Sequence, residues 1–275
     1  MNNTELKGKT SLVTGASSGL GADFARELAS RGSDLILVAR REDMLKAVQR
    51  EIQEKQGLKV ESIVMDLSTE DAPQALYDRV KSSGKTVDIL INNAGFGLYG
   101  EFIDLPWERE RELIQTDIIT LVHLTKLFVK DMLARNYGRI LQVSSIGAHQ
   151  PSPTYAVYSA AKSFVLYFGE AINYELRKSN VRCTVISPGV TATEFLKVAG
   201  QKPSLYQRLT MMQSPAVTRI GIDKMLQGRS SVVPGFSQFS SRFEHPFNPV
   251  SDVRHVRLSL HDNFLTGASR QRFVI

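Results

Sequence analysis

Cysteine is almost absent from this chain: among 275 residues only Cys183 carries a thiol. No intrachain disulfide can form, and because Cys183 lies in an apolar stretch, 181–186, a buried and inert thiol is expected. Histidine is scarce as well. The five, His123, His149, His245, His255 and His261, show neither metal-ligand spacing nor neighbouring cysteines, which argues against a metal site. No apolar run approaches the roughly 18 residues a membrane span needs. Residues 1–9 are polar and lack the apolar stretch of a secretory signal, so the expected address is the cytoplasm, with no membrane partner. The net charge is +6, yet Lys and Arg are scattered rather than clustered, which argues against nucleic acid as a partner.

Apolar residues are plentiful, at 42%, and they are patterned. Short apolar runs alternate with longer amphipathic ones from residue 10 to 234, the signature of repeated βα units around a parallel sheet. The pattern predicts strands over 10–14, 34–39, 59–65, 87–91, 138–143, 182–186 and 230–233, and helices over 20–30, 41–56, 71–82, 106–134, 155–178 and 216–227. The strands are apolar on nearly every residue, as when helices cover both faces of a sheet. The fold class is therefore α/β, one Rossmann-type doubly wound sheet of about seven strands, with its ligand crevice beyond the carboxyl ends of the strands. Residues 1–235 form the expected catalytic domain. After them the composition turns polar, so 236–275 is expected to be a loose or weakly docked tail whose best pattern is an edge strand at 256–261.

The first strand runs directly into Gly15-Ala16-Ser17-Ser18-Gly19-Leu20-Gly21, which opens a helix. Glycines allow a tight turn and close backbone approach, and free N–H groups at a helix start attract phosphate. Gly15, Ser17, Ser18, Gly19, Leu20 and Gly21 are thus candidates to hold a dinucleotide. At the end of the second strand a carboxylate would favour NAD and a basic residue the 2′-phosphate of NADP. The chain places Arg40 and Arg41 there, so NADP(H) is the preferred cofactor, with NAD(H) left open, and Arg40 is the first choice for the phosphate. Asp66 and Leu67 follow the third strand and are candidates to contact the adenine edge, the other role of an Asp in such a turn being a helix cap. Asn92-Asn93-Ala94-Gly95 follows the fourth, where small residues let the chain pass close to the cofactor; Asn93, Ala94 and Gly95 are the candidates.

Tyr158 and Lys162 are four residues apart on one predicted helix and share a face. Tyr77 with Lys81 and Tyr174 with Lys178 have the same spacing and are expected to be surface pairs. Only the first pair follows a strand that ends in hydroxyls, Ser144 and Ser145, at the crevice side of the sheet. Reduction of a ketone or aldehyde needs hydride at carbon and a proton at oxygen. A neighbouring ammonium lowers the pKa of a tyrosine, ordinarily near 10, by about 1–3 units. Lys162 supplies that charge, Tyr158 is the acid/base, and Ser145 donates to the oxygen where charge develops.

Thr14-Gly15-x-x-x-Gly19-x-Gly21, Asn92-Asn93-Ala94-Gly95, Ser145, Tyr158-x-x-x-Lys162 and Pro188-Gly189 together resemble the short-chain dehydrogenase/reductase family, over about residues 7–234. The segments at 144–148 and 193–195 look most like its bacterial, NADP-dependent oxidoreductase branch. The resemblance implies that Lys162 holds the nicotinamide ribose, that Pro188, Gly189, Val190 and Thr191 lie along the nicotinamide, and that Thr191 and Thr193 reach the pyrophosphate side. It also implies a homodimer or homotetramer. Asp117 stands where many members carry an Asn that supports a proton path to the lysine. If that position serves through backbone geometry, Asp partly suffices; if its charge matters, it neutralises Lys162, raises the pKa of Tyr158 and moves activity to higher pH.

The leading expectation is an NADP(H)-dependent oxidoreductase interconverting a small-molecule carbonyl and an alcohol. The alternative is a dinucleotide-binding regulatory protein with weak or no turnover. A lid over about 190–215, with Phe195, Leu196, Leu205, Tyr206, Met211 and Met212, and the stretches 146–153 and 96–98 are expected to line a mainly apolar substrate pocket.

Overall fold

Strand residues of alternating side face two separate apolar layers, and this period of two sets the architecture. Strands β1 (Thr10–Thr14), β2 (Asp34–Ala39), β3 (Val60–Val64), β4 (Ile89–Asn92), β5 (Gly138–Val143), β6 (Val181–Ile186) and β7 (Ser231–Val232) make one parallel sheet ordered β3-β2-β1-β4-β5-β6-β7. Val13, Leu35, Leu37, Ile91 and Leu141 face one side, where α1 (Gly19–Ser30), α2 (Glu42–Gln56) and α8 (Ser214–Leu226) bring Phe24, Leu28, Leu45, Val217 and Ile222. Leu12, Ile36, Val38, Leu90 and Ile140 face the other, against Leu76 and Val80 of α3 (Ala72–Ser82) and Leu124 and Phe128 of α5 (Leu121–Ala134). Each fully buried Leu or Phe contributes about 1.5–3 kcal/mol.

The computed structural model describes residues 4–202 and 211–235, all within one compact unit, Met1–Gly235. Leu205, Tyr206, the segment from 236 to 275 and the edge strand expected at 256–261 lie outside the described residues. Among the described residues no helix is long and apolar enough to cross a membrane. Cys183 is buried, and burial pushes its thiol up to about 12.

The sequence pattern predicts one unbroken helix over 106–134, and the structure corrects this. Helix α4 (Trp107–Ile114) passes through a π-helical turn, Gln115–Thr120, before α5 continues. The extra residue in that turn is where Asp117 is turned fully inward. The expectation that Tyr77 and Lys81 form a surface pair holds for Lys81, whose side chain is half exposed, while Tyr77 is partly buried. The Tyr77 ring packs edge-on to Phe128 at 5.3 Å, and both Tyr77 and Lys81 bond Asp131 of α5. That pair is an interhelical tie, remote from the strand ends.

Helix α6 (Ala156–Glu175) lies flat on the sheet because Gly169 leaves room: a Cβ there would fall 2.3 Å from Val185 Cγ2. Gly169→Ala is expected to destabilise the fold by about 1–3 kcal/mol, as overpacked cores do. Urea unfolding checks this, and an unchanged midpoint would contradict the packing described.

Candidate active site

The switch point between β1 and β4 opens a crevice of about 500 Å3, and all but one of the sequence-predicted site residues line it. Gly15, Ser17, Ser18, Gly19, Leu20, Gly21, Arg40, Arg41, Asp66, Leu67, Asn93, Ala94 and Gly95 form one part of the wall. Ser145, Tyr158, Lys162, Pro188, Gly189, Val190, Thr191 and Thr193 form the rest. The exception is Asp117, which does not line the crevice but stands behind Lys162.

The glycine loop is built for close approach. Gly15 and Gly19 have φ of +66° and +53°, values that side chains strain to adopt. A Cβ on Gly21 would fall 2.1 Å from the Gly15 carbonyl. Asn93 pins the loop from β4: its Nδ2 donates to the Thr14 carbonyl at 2.9 Å, while Thr14 Oγ1 accepts from the N–H groups of Asn93 and Ala94, each at 3.0 Å. Helix α1 starts without a side-chain cap, so its first N–H groups point toward the crevice unengaged by one. On the opposite wall, a Cβ on Gly189 would meet nothing within 4 Å among the described residues. This cradle of small residues, uncapped helix start and two arginines fits an anionic dinucleotide.

Both arginines have carboxylate partners. Arg40 Nη1 lies 3.1 Å from Glu112 Oε1 and 4.0 Å from Asp66 Oδ2. Arg41 Nη1 lies 3.0 Å from Glu194 Oε2. Asp66 Oδ1 accepts from the Ser68 N–H at 2.9 Å and from its hydroxyl at 2.8 Å, so its first task is to close the turn after β3.

At the other end, α6 carries Tyr158 and Lys162 over the end of β5. Ser144 and Ser145, adjacent in sequence, have different tasks. Ser144 Oγ donates to the Lys162 carbonyl at 2.7 Å and is buried. Ser145 Oγ hydrogen-bonds Tyr158 and accepts from the Gly147 N–H at 3.1 Å. The nearly buried Lys162 ammonium donates to the Val143 carbonyl at 3.1 Å and lies 5.7 Å from the Tyr158 ring centroid. Its closest charge is Asp117 Oδ1, at 2.6 Å, in a contact that is an ion pair rather than a well-directed hydrogen bond. Asp117 Oδ2 accepts from the Phe96 N–H at 3.3 Å, and the carboxylate leaves no room for a Cβ on Gly95.

Burial is the largest influence on all three titrating groups. It pushes Tyr158 above its ordinary value; Lys162 and the Ser145 hydrogen bond pull down, and Asp117 pushes up again. Lys162 therefore lowers the tyrosine pKa, as its place in the sequence suggests, without deciding the balance. Burial works against the charge of Lys162, but Asp117 and Tyr158 together outweigh it and raise the ammonium above its usual range. The buried Asp117 carboxyl is itself raised by desolvation, against the pull of Lys162.

Sequence reasoning missed Tyr155, Glu112 and Gln201, which also line the crevice, and the pairing of Glu194 with Arg41. Tyr155 stands 5.7 Å from the Tyr158 ring and 5.4 Å from Tyr99, and donates to Gln201 Oε1 at 2.7 Å. Burial pushes its hydroxyl up to about 12. A tyrosine one helical turn before Tyr158 was the available signal. Of the expected substrate lining, Phe96, Ile146, Phe195 and Leu196 face the crevice. Leu98 instead packs with Leu113 and Tyr158, and Met212 packs against the α1 side of the core. Phe195 begins α7 (Phe195–Ala199) and lies 5.3 Å from Tyr158. Among the described residues no cluster of His, Cys, Asp and Glu is placed to hold a metal ion.

The family model described as short chain dehydrogenase matches residues 9–204. Very-long-chain 3-oxoacyl-CoA reductase of Rattus norvegicus is 33% identical over 204 residues, covering 72% of this chain and 64% of that protein. The chain thus spans somewhat under two thirds of this relative's length. An uncharacterized oxidoreductase of Myxococcus xanthus is 34% identical over 191 residues, covering 70% of this chain and 75% of that protein. Among solved structures, a short-chain dehydrogenase from Sphingobium yanoikuyae in complex with NADPH superposes with a TM-score of 0.78 at 26% identity, covering 96% of this chain and all of that one.

Proposed function

Because this chain belongs to the short-chain dehydrogenase/reductase family of oxidoreductases acting on CH–OH and C=O groups, we propose that it is an NADP(H)-dependent carbonyl reductase or alcohol dehydrogenase with Tyr158 as its acid/base. The observation that carries the reading is the shared crevice: Tyr158, hydrogen-bonded to Ser145 and beside Lys162, opens onto the same space as the glycine loop and Arg40–Arg41. Gly15, Gly19 and Gly21 hold the pyrophosphate side together with Thr191 and Thr193, Ser18, Arg40 and Arg41 face the 2′-phosphate, and Pro188–Thr191 lie along the nicotinamide half. When bound, the dinucleotide supplies or takes the hydride at the carbonyl carbon.

The side chains divide the rest of the reaction. Ser145 donates to the substrate oxygen and fixes its position. In reduction the Tyr158 hydroxyl gives its proton to that oxygen, and in oxidation the phenolate takes it back; solvent restores the tyrosine. Lys162 stabilises the phenolate, and Asp117 tempers that effect by pairing with Lys162. Phe96, Tyr155, Phe195 and Leu196 give the substrate side a mainly apolar wall and exclude water from the reacting oxygen. The names of the relatives support 3-oxoacyl thioesters as one substrate class to assay. The second reading, a dinucleotide-binding protein with weak or no turnover, draws on the Lys162–Asp117 pair, since a neutralised lysine activates its tyrosine less.

Serine substitutions test the assignment. Ser145→Ala is expected to lower kcat about 10²-fold, as does loss of one donor to a developing oxyanion. Ser144→Ala removes a bond to the α6 backbone and is expected to lower stability more than it lowers kcat. Equal kinetic losses in the two variants would contradict the roles assigned.

A further inference from the structure

Arg41 crosses the start of α1 to reach three partners: Nη1 meets Glu194 Oε2 at 3.0 Å, Nη2 donates to Ser18 Oγ, and Nε donates to Ser17 Oγ at 3.4 Å. Glu194 also bonds Ser18, and the hydrogen bond and charge of Arg41 hold its carboxyl below the usual carboxylate range. A guanidinium and a hydroxyl therefore converge on one carboxylate at the opening turn of the helix that follows the glycine loop. Ser18 is the N-cap residue of α1 yet makes no side-chain cap bond; its hydroxyl serves this cluster instead. The same pair of donors suits a phosphate monoester, which offers Arg41 more charge and more acceptor oxygens than a carboxylate does.

Arg40 is placed differently. Its guanidinium is shared between Glu112 and Asp66, and Glu112 is the better shielded of its partners. Among the described residues Arg41 has a single carboxylate partner, and that partner is about half exposed, with 48% of its side chain accessible. Exposed pairs of this kind are weak, so an incoming dianion can displace Glu194 from Arg41.

Resting on the proposed NADP(H) site, we infer that Glu194 is a cofactor-selectivity residue: its carboxylate occupies Arg41 and Ser18 where the 2′-phosphate of NADP(H) would bind, so NADP(H) has to displace it and NAD(H) does not. Glu194 thereby blunts the preference that Arg41 creates. The sequence expectation that Arg40 is the first phosphate contact is replaced by Arg41, the arginine whose anion partner is the more easily released.

Binding of NADPH, NADH and adenosine 2′,5′-bisphosphate to the full chain, measured by isothermal titration calorimetry without substrate, tests this. Glu194→Gln keeps the hydrogen-bonding shape and removes the charge. It is expected to bind NADPH and the bisphosphate about three-fold more tightly, with NADH unchanged. Arg41→Ala is expected to weaken both phosphate-bearing ligands by about ten-fold or more and to spare NADH. An unchanged NADPH-to-NADH ratio in Glu194→Gln, or a preference lost in Arg40→Ala and kept in Arg41→Ala, would overturn the inference alone. A wild-type chain that binds neither nicotinamide nucleotide would overturn it together with the proposed function.

Discussion

Tyr158→Phe is expected to lower turnover of every carbonyl substrate by about 10²–10⁴-fold, the contribution a positioned general acid makes. The substitution removes one hydroxyl and keeps the ring, so packing against Phe195 at 5.3 Å and Tyr155 at 5.7 Å persists and nucleotide affinity is expected to be unchanged. Ser145 still orients the substrate oxygen but has no proton to give at neutral pH without becoming a poor alkoxide. Steady-state kinetics with parallel nucleotide titration check the split. A kcat within a factor of ten of wild type, with about 1.4 kcal/mol marking each factor, would remove Tyr158 from the chemistry.

Asp117→Asn carries the second large effect, and its sign follows from the charges around Tyr158. Burial and Asp117 raise the tyrosine pKa; Lys162 and Ser145 lower it. Removing the carboxylate leaves the lowering influences less opposed, so the folded-state pKa of Tyr158 falls. Alcohol oxidation requires the phenolate and rises as pH passes that pKa, so its profile is expected to move to lower pH and its rate near neutrality to increase. Carbonyl reduction requires the protonated tyrosine, so the pH at which it declines is expected to move down as well. Asn can still accept the Phe96 N–H bond at the Oδ position and still fills the space against Gly95. Lys162 loses its buried partner, which costs stability and lowers its own pKa, yet it keeps the Val143 carbonyl. The pH dependence of kcat in both directions checks the prediction. A profile that does not move, or moves upward, would contradict a role for Asp117 in setting the tyrosine.

The strands were legible because each is short, apolar on nearly every residue and followed by a turn motif. Their alternating faces needed only the period of a pleated strand. The place of the glycine loop and of Tyr158 and Lys162 at the crevice was legible because position at a strand end is a sequence property. The π turn at 115–120 was not. Its residues, Gln115-Thr116-Asp117-Ile118-Ile119-Thr120, read as ordinary helix, and the inward turn of Asp117 depends on Lys162, 45 residues away in sequence. Nor was the balance at Tyr158 legible: adjacency to Lys162 is local, while burial depends on the whole site. The Arg41–Glu194 contact joins residues 153 apart and follows no local spacing rule. Long-range pairs of charged side chains on loops carry no periodicity to read.

The most direct measurement is a count of product. The purified chain is incubated with NADPH or NADH and a panel of ketones, aldehydes and 3-oxoacyl thioesters, and alcohol formed is compared with nucleotide oxidised. The account predicts one alcohol per NADPH with at least one carbonyl substrate, a slower reaction with NADH, and no product above background in Tyr158→Phe. Tight NADPH binding without consumption across the whole panel, or undiminished product in the phenylalanine variant, would contradict it.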